Sequence, residues 1–102
     1  MIARHWKGVA KTESAGKYTV HLLEETFPSL GNLQGFIKAS VLNRPVTNGV
    51  EFLIITEWES PLSISAFSGD DIELAVVPKA VQEMMVEYDQ RAIHYEIVSE
   101  FE

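Results

Sequence analysis

From residue 2 onward hydrophobic and polar positions alternate. Ile2, Arg4 and Trp6 fall on one side and Ala3, His5, Lys7 and Val9 on the other, which predicts a strand over residues 2–9 with two mixed faces. From Glu13 to Phe27 the period lengthens. At about 100° per residue Ala15, Tyr18, Val20, Leu22, Leu23 and Phe27 share one broad arc, and Glu13, Lys17, His21, Glu24 and Glu25 share the other, which predicts a helix. Thr12 is placed to cap it, and Pro28 to end it, with Gly31 and Gly35 marking the turn. Period two returns in GFIKASVLN (35–43) and again from Val50 to Glu59. The intervening RPVTNG, with Asn48-Gly49 able to take positive φ, predicts a hairpin. The centre of this third strand, Phe52-Leu53-Ile54-Ile55, is apolar on both faces and calls for cover on both. Ser60 then resembles an N-cap with Pro61 at the first helical position, and a short helix should run to about Gly69. Past Pro78, the spacing of Val81, Met84, Met85 and Tyr88 predicts a second full helix, and residues 92–101 a last strand.

The order β-α-β-β-α-β is that of a ferredoxin-like α+β domain, a four-stranded antiparallel sheet with helices on one face. The doubly apolar third strand then needs a partner on the open face. A second copy of the same sheet supplies it, so a two-fold homodimer is expected, a dimeric α+β barrel. At 102 residues the chain suits a single domain spanning 1–102.

Eight basic residues against fifteen acidic ones give a formal charge of −7. With no basic stripe to neutralise phosphates, nucleic-acid binding is not expected. No apolar run approaches the ~18 residues of a membrane span, and MIARHWKGVA carries charge at once, unlike a secretory signal. The absence of cysteine excludes disulfides and thiolate metal sites and fits a reducing, cytoplasmic setting.

Few residues carry a chemical signal. Arg4 and Trp6 share a strand face. If that face looks towards the helices, an Arg beside an indole would hold an anionic oxygen; otherwise Arg4 is a snorkelling side chain paired with a carboxylate on a neighbouring strand. His94 starts the last strand, beside the first in this topology, and is the best-placed base. The alternatives for His94 and His5 are ordinary sheet histidines, and His21 falls on the polar arc, a surface position. Trp58 would line an aromatic site by stacking or would simply fill the core near the sheet edge. Asp70-Asp71 would cap the next helical piece rather than bind a metal, and no HExxH, GxGxxG, P-loop or GxSxG motif is present. Neither a metal nor a cofactor is expected.

The opening MIARHWKG, the GF of QGFIKASVLNRP, the strand VEFLIITEWES, the SAFSGDD after it and the closing HYEIV, in this order and spacing, resemble the antibiotic biosynthesis monooxygenase family. The resemblance covers nearly the whole chain. It implies a dimeric α+β barrel with a small-molecule site between sheet and helices. Its members include cofactor-independent quinone-forming oxygenases, haem-degrading enzymes and decyclases, so the fold does not fix the activity. The haem-degrading branch places an asparagine on the first strand, a tryptophan on the short helix and a histidine ligand beyond it. Here those places hold Trp6, Phe67 and Val76 or Val77, so the axial ligand is missing. The expectation is a monooxygenase-like enzyme acting on a small aromatic or quinol-like compound without metal or flavin. Arg4 would stabilise the anion, His94 would act as base, and Trp6, Trp58 and Phe67 would line the pocket. The alternative is a non-catalytic homodimer that binds a small metabolite.

Overall fold

A computed structural model describes all of residues 1–102. Strand β1 (Ile2–Ala10) lies at the centre of the sheet and pairs antiparallel with β3 (Gly49–Trp58), which in turn pairs with β2 (Phe36–Val46). The β2–β3 hairpin closes through Thr47 and Asn48, neither of which takes positive φ. The other edge of β1 is covered by two short strands in succession, β4 (Met85–Tyr88) against Gly8–Ala10 and β5 (Ile93–Glu96) against Ile2–His5. The order is that of the ferredoxin-like sheet, with its fourth strand broken in two. Trp6 explains how the break is tolerated: its indole N–H donates to the Asp89 carbonyl at 2.8 Å, satisfying a group at the kink.

The first helical region departs from a regular helix. A 3₁₀ turn (Thr12–Ser14) without a side-chain cap leads into α1 (Ala15–His21), a π turn (Leu22–Thr26) follows, and α2 (Phe27–Gly31) completes it. Pro28 lacks the N–H that a regular helix would use and its ring crowds the preceding turn. The chain widens there instead of stopping, and the Phe27 N–H reaches back five residues to the Leu22 carbonyl. The predicted buried arc is corrected accordingly. Tyr18, Leu22 and Leu30 are buried, whereas Val20 and Leu23 face solvent.

The second crossover starts as expected. The Ser60 hydroxyl caps α3 (Pro61–Ser68) by accepting from the Ser63 N–H, and Gly69, at φ +84°, ends it in a backbone conformation that side chains resist. The predicted second full helix does not form. Only α4 (Lys79–Gln82) is helical, and Met85–Tyr88 joins the sheet. The unpaired edge of β1 accounts for this: the Lys11 N–H takes the Met84 carbonyl and Gly8–Ala10 take β4, outweighing a helical preference of at most a few tenths of a kcal/mol per residue.

The core divides in two. Trp6, Ala10, Tyr18, Leu22, Phe52, Ile54, Val81 and Met85 form one cluster; Ile2, Leu30, Trp58 and Ile64 form the other. On β1 the division falls at Arg4, between Ile2 and Trp6, and on β3 at Thr56, between Ile54 and Trp58. Arg4 and Thr56 are cross-strand partners, and His94 pairs with Arg4 on the other side. A polar row therefore crosses the helix-facing side of an apolar sheet.

Candidate active site

Above that row, between the two core clusters, is a cavity of about 280 Å³. Its size is near the lower end of small-ligand pockets. The sheet supplies Arg4, Trp6, Ile54 and Thr56. The first helical region supplies Tyr18, His21, Glu25 and Leu30 among others, and the second crossover supplies Phe67, Val76, Pro78 and Val81.

Arg4 faces the helices and is only 5 % exposed. One terminal nitrogen donates to the Leu74 carbonyl at 2.8 Å, the guanidinium lies 5.3 Å from the centre of the Phe67 ring, and Nε–H is buried without a partner. No carboxylate comes within ion-pair distance, so the snorkelling alternative with an acidic partner does not describe this residue. Burial pulls the guanidinium down to about 10, so it is still a cation at neutral pH.

The aromatic candidates divide by position. Trp6 and Phe67 line the cavity. Trp58 does not. It is fully buried behind the wall, stacked on Phe67 with ring centres 6.2 Å apart, and its indole N–H donates to the Thr56 hydroxyl at 2.9 Å. Its role is to hold two wall residues in place. Gly8 performs a similar service for Trp6: a Cβ at Gly8 would lie 2.8 Å from the indole ring.

His94 is likewise not brought to the wall. It stands beside Arg4 with Nε2 buried and unpartnered. Burial, then the neighbouring Arg4 charge, hold its pKa below the usual 6.5, while Glu73 opposes both. His5, on the opposite sheet face, packs edge-on against Tyr95. Asp71 is engaged in a turn: it accepts from the Glu73 N–H and from Arg91, and Arg91 keeps its carboxyl below the usual range.

Two polar wall residues, His21 and Glu25, fall on the arc that the helical period assigns to solvent. His21 lines the cavity, and its Nδ1 lies 2.8 Å from a Glu25 carboxylate oxygen. On a regular helical wheel His21 lies about 60° and Glu25 about 20° from Tyr18, so both flank the buried stripe that Tyr18 defines. The signal was obscured by grouping Val20 and Leu23 with that stripe. Tyr18 itself packs edge-on against Phe52, and burial pushes its phenol up, keeping it protonated.

No known family's sequence profile matches the chain, and no curated protein does. Solved structures match over its full length. A Bacillus cereus protein provisionally named an antibiotic biosynthesis monooxygenase is 20 % identical, with 100 % of this chain and 95 % of that one covered and a TM-score of 0.69. The haem-degrader MhuD from Mycobacterium tuberculosis, with two haems in its active site, is 16 % identical over 100 % of both chains, with a TM-score of 0.63. A variant of MhuD with two manganese protoporphyrins per active site is 17 % identical over 100 % of this chain and 99 % of that one, with a TM-score of 0.59. Haem does not fit the residues found here. Val76 faces the cavity where the resemblance would put the iron ligand, and its side chain has no lone pair to offer. The chain has the fold of the antibiotic biosynthesis monooxygenase and haem-degrader structures.

Proposed function

We propose that the chain is a cofactor-independent, monooxygenase-like enzyme acting on a small aromatic or quinol-like compound in the cavity between sheet and helices. One observation carries this reading: Arg4, a buried guanidinium without a carboxylate, in the wall of an otherwise mainly apolar cavity. Burying a cation unpaired costs several kcal/mol, and a ligand anion would recover part of that. Such a site lowers the energy of a carbanion or enolate, the species that reacts with dioxygen without metal or flavin. A methylene flanked by aromatic rings would lose a proton, take one oxygen atom as carbonyl and release the other as water, with dioxygen as the oxidant. Trp6 and Phe67 would hold the rings, Trp58 would brace Phe67, and Arg4 would hold the oxyanion. The working unit would be a homodimer.

An oxygen electrode tests this with quinols and anthrone-like compounds. One dioxygen consumed per substrate, lost in Arg4→Met, is the expected result. Binding without oxygen consumption would instead favour the second reading, a metabolite-binding protein. That reading draws support from the Trp6 indole N–H, which is already engaged within the protein by the Asp89 carbonyl.

A further inference from the structure

We propose that His21, oriented by Glu25, is the proton acceptor of this cavity, and that its ligand is a small apolar compound with an acidic C–H or O–H. The inference rests on the anion-binding reading of Arg4 and adds the second half of the site. The 2.8 Å contact between His21 Nδ1 and the Glu25 carboxylate fixes the ring. With Nδ1–H donating to Glu25, a neutral imidazole carries its free lone pair on Nε2. The two side chains differ in setting: His21 is 15 % exposed and Glu25 71 %. The imidazole is thus packed into the wall while the Glu25 carboxylate beside it, also in the wall, reaches water, so a proton on His21 has both a counter-charge and an exit.

The other titratable groups facing the cavity are Tyr18, on the same helical region, and Arg4, on β1. The second crossover brings only Phe67, Val76, Pro78 and Val81, none of them charged. The ligand proton moves to His21 Nε2 and its electron pair stays on the ligand. Summed over Arg4, Glu25, His21 and the ligand, the formal charge is zero before transfer and zero after it, when Arg4 faces the ligand anion and Glu25 faces the imidazolium. The site is neutral in both states, so the transfer leaves no unbalanced charge in a partly dry cavity. A proton on His94 would instead sit beside the Arg4 guanidinium and away from the cavity wall. The π turn that follows His21 and contains Glu25 is a feature common at functional sites.

A nitrophenol tests the pair because its phenolate is yellow and its phenol is not. At a pH below the probe's own pKa and with the His21 imidazole neutral before binding, the wild-type protein is expected to bind it as the yellow anion with no net proton released to a weakly buffered solution. His21→Gln is expected to bind the anion still, but to release about one proton per probe and to lose about tenfold in affinity per pH unit of acidification. His94→Gln should behave as wild type. One proton released by the wild type, or a change in proton release with His94→Gln and none with His21→Gln, would overturn the proposal while leaving Arg4 as anion site. Binding of the colourless phenol, or none, would overturn both. Loss of the yellow complex in Arg4→Met separates the two halves.

Discussion

Arg4 is held in the cavity wall by one carbonyl and one aromatic face and by no carboxylate. A residue kept for structure would not be left so poorly paired. Arg4→Met, similar in length but neutral, should therefore leave stability unchanged or raise it by about 1 kcal/mol. Thermal unfolding measures this, and a loss of several kcal/mol would make Arg4 a structural residue. The same charge acts on His94. Because the folded protein holds the His94 pKa below 6.5, the unfolded chain binds more protons between the two values. Stability is then fully present above 6.5 and falls as the pH drops towards the folded pKa. An NMR titration of the imidazole should give a midpoint below 6.5. It should move part of the way back in Arg4→Met, since burial, the larger cause, remains. At Gly8, substitution by Ala would push a methyl into the Trp6 indole. A cost of about 1–3 kcal/mol and a shifted Trp6 fluorescence are expected.

Among the elements, α3 was the most legible in the sequence, because its boundaries rest on local chemistry: the Ser60 cap, Pro61 and Gly69. Ser60→Ala should cost about 1 kcal/mol in urea denaturation. Because α3 carries Phe67 over Arg4, the same change should also weaken ligand binding; an unchanged affinity would show that Phe67 is placed without the cap. The elements misread were those decided by distant partners. The spacing of Val81, Met84 and Met85 is helical, yet the edge of β1 recruits Met85–Tyr88 as a strand. Nothing local in those residues announces the edge they cover. The π turn was hidden for a related reason. Pro28 marks the disturbance, but a stop and a widened turn read alike in sequence. The candidate site is half legible: Arg4, Trp6 and Phe67 stand out in the sequence and line the cavity, whereas His21 and Glu25 line it too although their polarity points to solvent. Thr56 was overlooked within an apolar strand, although a single hydroxyl in register with Phe52, Ile54 and Trp58 is the mark of a polar row.

For the molecule as a whole, the helices cover one side of the sheet. The other presents Leu42, Leu53, Ile55, Ile93 and Tyr95, several of them largely exposed. Around them stand ion pairs such as Lys38 with Glu57 and Arg44 with Glu51. An apolar centre with a charged rim is the composition of a subunit interface, and a second copy of this face is its expected cover. Light scattering at micromolar concentration should give a dimer, and Leu53→Lys should shift it to monomer. A wild-type monomer would leave the apolar face without its partner. None of the helices is long and apolar enough to cross a membrane. On the proposed function, Arg4 is a cation in the split core whose partner is a ligand anion. The most direct test is calorimetric titration of benzoate against benzamide, alike in shape and different in charge. Benzoate should bind at least about tenfold more tightly, as expected when a charged group gains hydrogen bonds, and Arg4→Met should remove the preference. Equal affinity for the two, or a preference that survives Arg4→Met, would contradict it.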